Sequence, residues 1–194
     1  MRVAIVSDSH DHVWNLQAVV AALAPADGSD GTAKPGAGGP APADALIHCG
    51  DLSSPFIVPM LAKFGGPVHA VFGNNDADRF RLQANAAKTA NVTLHGEFAE
   101  FDLDGLVFAA QHFDAMAKPL AESCRFDVVC FGHNHRRELR RIGEVWLVNP
   151  GALMGWRPGG DGDVPATFTV FDTRTKEFEW WRVADGRVAP DEAP

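Results

Sequence analysis

The sequence predicts an α/β fold in which βα units are followed by antiparallel strands, that is, a mixed α/β sandwich. Residues 2–7 form a short run of mostly Val, Ile and Ala, which is typical of a central strand buried on both faces. Similar short apolar runs recur up to residue 131, and most are separated by segments with helical spacing. After residue 135 strand patterns follow one another through turns and without helices.

Composition limits the class of protein and its partners. The 194 residues are enough for one domain, 1–194, with a sizeable core, and 46% hydrophobic content fits a globular protein. A net charge of −8 argues against binding to nucleic-acid polymers or anionic membranes. We expect no membrane span and no signal peptide, and therefore a cytoplasmic protein. Three cysteines without CxxC spacing argue against a disulfide framework and a thiolate zinc site.

The first half of the chain alternates between strands and helices. The predicted strands cover residues 2–7, 45–48 and 67–72, and the predicted helices cover 13–24, 56–64 and 79–90. Residues 25–43 interrupt this pattern, because Pro, Gly, Ala, Ser and Asp dominate them and cannot form a packed face. We interpret 25–43 as a flexible Gly/Pro/Ala-rich surface insertion, with a substrate lid as the open alternative.

The remaining elements follow the same reasoning. Strands are predicted at 92–95, 98–102, 106–111, 126–131, 136–142, 145–148, 167–172 and 177–183, with a helix at 114–123. Asp104-Gly105 is a strong signal for a hairpin turn between two of these strands. A turn is predicted at Asn149-Pro150-Gly151, a glycine-rich loop at 155–163, and a frayed tail at 184–194.

Oxygen or nitrogen donors stand at the ends of several predicted strands. They are Asp8, His10, Asp51, Asn74, His112, His133 and His135. Strand ends meet at one edge of an open α/β sheet, so we expect these side chains to converge. Individually each has an ordinary explanation: Asp8 could cap a helix, Asn74 could serve a turn, and His133 and His135 could be solvated loop residues. We also expect Gly132 to provide backbone angles that a side chain would resist.

The type and number of donors predict the kind of site. A set of nitrogen and oxygen ligands suits Mn²⁺, Fe²⁺, Ni²⁺ or Zn²⁺ better than Ca²⁺. A single catalytic zinc uses about three protein ligands, whereas seven donors suit two ions that share a carboxylate. Two such ions about 3.5–4 Å apart can hold a hydroxide and clamp a phosphoryl oxygen, which is the equipment for in-line hydrolysis of a phosphate ester.

The donors lie in short sequence motifs whose order and residue types resemble those of the calcineurin-like metallophosphoesterases, specifically their small prokaryotic phosphodiesterase branch. The motifs are Asp8-Ser9-His10, Gly50-Asp51, Gly73-Asn74-Asn75-Asp76, His112 and Gly132-His133-Asn134-His135. The resemblance implies a four-layer α/β/β/α sandwich. It also implies phosphodiester hydrolysis through a metal-bridging hydroxide, with two divalent ions of which Mn²⁺ is the first expectation.

The same resemblance implies a role for each donor. One metal would be held by Asp8, His10 and His135, and Asp51 would bridge it to its neighbour. The neighbouring metal would be held by Asn74, His112 and His133.

One position departs from the pattern of the wider family. That pattern has Gly-Asn-His-Asp, whose histidine protonates the leaving group or steadies the phosphate, and Asn75 occupies its place here. An amide donates hydrogen bonds but delivers no proton near neutral pH, so we predict a preference for acidic leaving groups. The expected catalytic residues are Asn75, Asp76, as a holder of Asn75 or of water, and His133. His12 and His95 are alternative acids that no sequence pattern places near the site.

Two other readings remain open at this point. A phosphomonoesterase of the same fold would differ only in its substrate. A non-catalytic protein-binding scaffold would be expected if ligands had decayed, but all seven positions carry competent donors. The expected partner is a small phosphate-ester substrate. Surface Trp and Phe residues would also permit a homodimer or homotetramer.

Overall fold

The structure is a computed structural model that describes residues 1–24, 39–159 and 162–194. Most of the predicted insertion 25–43 lies outside the described residues. The helices are α1 (Val13–Leu23), α2 (Ile57–Ala62), α3 (Arg79–Ala86) and α4 (Asp114–Glu122). The strands are β1 (Arg2–Val6), β2 (Ala45–His48), β3 (Val68–Ala70), β4 (Val92–Leu94), β5 (Phe98–Leu103), β6 (Leu106–Gln111), β7 (Val128–Cys130), β8 (Arg137–Ile142), β9 (Val145–Pro150), β10 (Trp156–Arg157), β11 (Gly162–Asp163), β12 (Ala166–Asp172), β13 (Glu177–Ala184) and β14 (Arg187–Asp191).

Two mixed sheets form the centre of the molecule. The larger sheet has the strand order β14-β13-β12-β1-β2-β3-β4, in which β1 to β4 are parallel and β12 to β14 are antiparallel. The smaller sheet has the order β5-β6-β7-β9-β8, with three parallel strands in the middle and an antiparallel strand at each edge. In both sheets the parallel strands bring their carboxyl ends to a common edge.

Side-chain alternation divides the core into three apolar layers. In β1, Val3 and Ile5 face the smaller sheet, whereas Ala4 and Val6 face the helices α1 to α3. A third cluster packs α4 on the outer face of the smaller sheet. The prediction that the first strand is buried on both faces is thus confirmed, because all four of these side chains are fully buried. The layer sequence is helix, sheet, sheet, helix, so the expected four-layer α/β/β/α sandwich is confirmed.

Three predicted irregular segments are ordered strands. Asn149 and Pro150 continue β9 and pair with Glu138 and Arg137, so the turn predicted there is displaced toward Gly151. The Asn149 side chain explains the extension, because its amide is buried and bonds Gly132 O at 3.0 Å. Within the predicted 155–163 loop, β10 and β11 form a short antiparallel pair.

The predicted frayed tail is wrong for residues 187–191. They form β14, which pairs with β13 after a turn at Asp185-Gly186, both of which have positive φ. Val188 packs on the cluster beneath α1, and this apolar contact offsets the entropy lost on ordering the segment. Among the described residues, no helix combines the length and apolar character needed to cross a membrane.

Candidate metal centre

All seven predicted ligands lie in loops that follow the carboxyl ends of parallel strands. These loops hold an uncommon backbone conformation, because non-glycine residues rarely adopt positive φ. The φ values are 52° at Asp8, 40° at His10, 57° at Asp51, 75° at His133 and 56° at His135. Conformations of this kind persist only where surrounding contacts enforce them, and they concentrate at functional sites.

A first cluster brings together Asp8, His10 and His135. The Nε2 atoms of the two histidines lie 3.2 Å apart, and His135 Nε2 lies 3.3 Å from Asp8 Oδ1. His10 Nε2 lies 3.8 Å from the same carboxylate oxygen. Asp8 is fully buried and His135 is 6% exposed, so the cluster forms the floor of the site. Its donor atoms lie close enough together to share one cation.

A second cluster brings together Asn74, His112 and His133. Asn74 Oδ1 lies 3.0 Å from His112 Nε2 and 2.9 Å from His133 Nδ1. His112 is fully buried, whereas His133 is half-buried at the mouth of the site. The second cluster therefore offers two ring nitrogens and one amide oxygen.

Asp51 lies between the two clusters. Its Oδ2 atom is 3.4 Å from His10 Nε2 in the first cluster and 3.3 Å from His112 Nε2 in the second. The carboxylate is only 1% exposed, and two groups of Asn75 orient it. Asn75 N donates to Asp51 Oδ1 at 2.7 Å, and Asn75 Nδ2 donates to Oδ2 at 2.8 Å. One carboxylate thus contacts both halves of the centre.

Backbone carbonyls fix the protonation pattern of two histidines. His112 Nδ1 donates to Cys49 O at 2.8 Å, and His135 Nδ1 donates to Trp156 O. In a neutral imidazole the opposite Nε2 atom is then a lone pair, and both Nε2 atoms point into the centre. Histidines that bind metals are generally oriented in this way through their second nitrogen.

The convergence of lone pairs requires positive charge. With Nδ1 protonated, His112 Nε2 faces Asn74 Oδ1 and Asp51 Oδ2, which are all acceptors. Three acceptors in a buried space repel one another unless a second proton or a cation lies between them. The donor set therefore fits divalent ions with nitrogen and oxygen ligands.

The pKa shifts of two of the histidines also indicate that the centre favours positive charge. Burial alone would lower the pKa of His112, but its hydrogen bond to Asp51 and the charges of Asp8 and Asp51 outweigh burial and raise it. The pKa of His135 is raised in the same way, against burial, by Asp8. The pKa of His10 is lowered, because its burial outweighs the two carboxylates. Burial opposes the ionisation of Asp51, but hydrogen bonds from His112 and Asn75 hold its pKa below the usual value.

Asp76 supports the loops from behind. Its carboxylate accepts hydrogen bonds from the backbone N–H groups of Asp51, Ser53 and Gly73, at 3.2, 2.7 and 2.7 Å. It does not hold the Asn75 side chain, which bonds Asp51 instead. Asp76 is thus a positioning residue that joins the loop after β2 to the loop after β3.

Other sequence expectations are placed away from the centre. His95 Nε2 lies 3.0 Å from His69 Nδ1, and both rings stack with Phe101 between the sheets. His12 accepts a hydrogen bond from Asn15 N and caps α1. Among the residues that the structure describes, neither histidine is hydrogen-bonded to Asn75 or to a member of the two clusters.

Several supporting groups have no signal in the sequence. The carbonyls of Cys49 and Trp156 act through the backbone, so residue type does not reveal them. Asn149 acts through its side chain, but its burial becomes apparent only in the folded structure. Its amide bonds Gly132 O and Asn134 Oδ1 in the loop after β7.

Comparison with known proteins agrees with this geometry. Residues 1–176 match the family model described as the calcineurin-like phosphoesterase superfamily domain. The chain is 26% identical over 180 residues to phosphodiesterase MJ0936 of Methanocaldococcus jannaschii, covering 92% of this chain and 96% of that protein.

Solved structures resemble the chain along nearly its whole length. One is an archaeal phosphodiesterase, with a TM-score of 0.75, 25% identity, and coverage of 94% of this chain and 100% of the other. Wild-type Vps29 of Entamoeba histolytica in complex with Zn²⁺ has a TM-score of 0.63 at 16% identity, with coverage of 98% and 97%. Yfce, a phosphoesterase from E. coli, has a TM-score of 0.61 at 18% identity, with coverage of 100% and 99%, and these last two show the fold alone. The chain belongs to the calcineurin-like phosphoesterase superfamily and is a metal-dependent phosphoesterase.

Proposed function

We propose that the protein hydrolyses phosphodiesters with two divalent ions, most readily Mn²⁺. Asp8, His10 and His135 would hold one ion, and Asn74, His112 and His133 would hold the other. Asp51 would bridge them. The observation that carries the proposal is the position of Asp51 Oδ2, within 3.4 Å of His10 Nε2 and 3.3 Å of His112 Nε2.

When bound, two such ions supply a hydroxide nucleophile at neutral pH and positive charge for the phosphoryl oxygens. The chain itself supplies orientation. Asp8 accepts from His133 N, which ties the floor of the first cluster to the loop that carries the second. Asp76 accepts from the backbone N–H groups of Asp51 and of Gly73, the residue before Asn74. These bonds hold the loops that carry the ligands in one arrangement, as a preorganised centre requires.

Asn75 bears on the leaving group, and a relative bears on the preference for diesters. The Asn75 amide donates to Asp51 and holds no transferable proton, so the leaving group must depart without a general acid from this position. Good leaving groups tolerate that, which favours aryl and other activated esters. The relative from Methanocaldococcus jannaschii is named a phosphodiesterase, which supports a preference for diesters here.

Hydrolysis assays on metal-stripped protein test this proposal. We expect turnover of bis-p-nitrophenyl phosphate to return with Mn²⁺ and to exceed that of p-nitrophenyl phosphate. Asp51→Asn should lower turnover by about 10²–10³-fold, since it removes the charge shared by the two clusters. Asp185→Asn makes the same chemical change in an exposed turn and should leave activity unchanged.

The other outcomes would revise the function. Faster turnover of the monoester would indicate a phosphomonoesterase. No turnover of either ester with Mn²⁺, Ni²⁺, Fe²⁺ or Zn²⁺ would contradict an enzymatic role for these esters and favour the scaffold alternative.

A further inference from the structure

Phe113 forms an apolar wall beside the second cluster. It follows His112 directly, and its ring centroid lies 5.2 Å from that of His112 and 5.2 Å from that of His133. The two imidazoles meet the Phe113 ring edge-on and at a tilt, so the phenyl group flanks both of them. It is nevertheless 37% exposed, which leaves part of an aromatic surface open at the mouth of the site.

Phe113 occupies a helix N-cap position, where a polar side chain is usually preferred. It is the N-cap residue of α4, has an extended backbone, and makes no side-chain capping bond. Ser, Thr, Asp or Asn at this position would satisfy a free N–H group of the first turn. A residue that departs from a local preference is expected where a tertiary contact or a function requires it.

The ring is placed to contact whatever is attached to a bound phosphoryl group. A phosphorus atom held between Asp51 and the second cluster has its ester substituents within the reach of neighbouring side chains. Phe113 offers an aromatic surface next to His133, and aromatic rings in such contact attract one another beyond simple burial. An aromatic substituent, either an aryl group or a nucleobase, complements this surface better than a small alkyl group does.

We propose that Phe113 is a specificity-determining residue that stacks on an aromatic substituent of the substrate. The inference rests on the proposed function, because it assumes that the phosphoryl group is bound at the two clusters. It adds the class of substrate, namely phosphodiesters that carry an aromatic group.

Binding of phosphonates tests the role of Phe113 without turnover. Phenylphosphonate and methylphosphonate carry the same anionic head and differ in one substituent. By calorimetry on Mn²⁺-loaded protein, we expect phenylphosphonate to bind more tightly than methylphosphonate. Phe113→Ala should reduce that ratio by about 3- to 10-fold, with little change for methylphosphonate.

Phe98→Ala is the matched control. Phe98 is also a half-exposed phenylalanine, at 42%, and its ring contacts Phe126 edge-on rather than a predicted ligand. The control should keep the phenyl preference of the wild type. Phe113→Asn should lose the preference although it introduces a favourable N-cap, and thermal unfolding of each variant verifies that it is folded.

The outcomes separate this proposal from the proposed function. If neither ester is hydrolysed but the protein still prefers phenylphosphonate in a way that depends on Phe113, the proposed function is contradicted and the aromatic contact is supported. Normal turnover with the same phenyl-to-methyl ratio in Phe113→Ala and wild type would overturn the role of Phe113. Failure of the wild type to bind phenylphosphonate would overturn it as well. If Phe113→Ala dissociates an oligomer in sedimentation and leaves the ratio unchanged, the ring serves contacts between copies instead.

Discussion

In the proposed function, Asn75 limits the leaving groups that the site can expel. Both its backbone N–H and its side-chain amide donate to Asp51, so it orients the shared carboxylate. The histidine of the wider family pattern could transfer a proton from this position, whereas the amide cannot. The rate of hydrolysis should therefore depend strongly on the pKa of the leaving group.

Replacing Asn75 by histidine should change the dependence of the rate on the leaving group. In a series of methyl aryl phosphates, log(kcat/KM) should fall steeply as the leaving-group pKa rises. Asn75→His should make that slope shallower, with a gain of about 10-fold or more for the poorest leaving group, since general acids contribute about 10²–10⁴-fold. Asn75→Ala is the control and should keep the steep slope. An identical slope in Asn75→His would refute this role.

At the residue scale the sequence predicted where the donors would meet but not what fixes them. Asp8, Asp51, Asn74 and His133 could be located because each follows an apolar run whose end must reach the same sheet edge. The bonds from His112 to Cys49 O and from His135 to Trp156 O could not be anticipated, because carbonyl positions depend on the folded backbone.

At the level of single elements, the loop between β7 and β8 depends on a glycine at position 132. We expected Gly132 to supply unusual backbone angles, but the positive φ values fall on His133 and His135. Gly132 is required for another reason. A Cβ atom there would lie 1.9 Å from Ser7 Oγ and 2.6 Å from Asp8 Oδ2. The glycine thus allows the loop to approach the end of β1 closely enough to place His133 and His135 beside Asp8.

Gly132→Ala should displace this loop from Asp8. Overpacking of this kind typically costs about 1–3 kcal/mol of folding free energy, and we expect urea unfolding to show a loss in that range. Mn²⁺ affinity should fall in the same variant, because Asp8 and His135 would separate. Gly186→Asn is the control: the turn is open, and asparagine tolerates positive φ. Wild-type stability and Mn²⁺ affinity in Gly132→Ala would contradict the packing argument.

The sequence pattern predicted the presence of β9 but not the residue at which this strand ends. The pattern of β9 ends at Val148 by residue type, because Asn and Pro usually mark turns. The fold keeps both in the strand by burying the Asn149 amide and by letting Thr167 donate to Pro150 O. Such tertiary bonds override local preference and cannot be seen in one segment of sequence.

The whole molecule places a second group of histidines between the two sheets. His69 and His95 bond each other, and both rings stack with Phe101. Burial, and then the charge of His95, lowers the pKa of His69 to about 4. Burial also lowers the pKa of His95. The packing of the sandwich therefore depends on both rings being neutral.

This pair should make stability fall with acidification. The unfolded-state pKa of histidine is about 6.5, so the contribution of His69 is fully present above that pH. It is lost as pH falls from about 6.5 toward the folded-state pKa of about 4. Urea unfolding of metal-free protein at pH 7.5 and 5 should show a smaller acid-induced loss for His69→Asn than for wild type. His112 and His135 titrate equally in both proteins and cancel in the comparison. Equal losses in both proteins would contradict the argument.

The residue pattern alone predicted βα units followed by antiparallel strands, and the family resemblance implied the four-layer arrangement. The late antiparallel strands β12 to β14 join the sheet that contains β1. The sequence did not indicate which strands of the second sheet neighbour one another. β7 pairs in parallel with β9, and β8 lies at the edge of the sheet, so two strands that are not consecutive in the chain become neighbours.

Locating the metal ions in crystals grown with Mn²⁺, by anomalous scattering, would test the central claim most directly. We expect two peaks per chain about 3.5–4 Å apart, with Asp51 between them. One should lie among Asp8, His10 and His135, and the other among Asn74, His112 and His133. A single peak, or peaks outside these two clusters, would contradict a two-metal centre built from these seven residues.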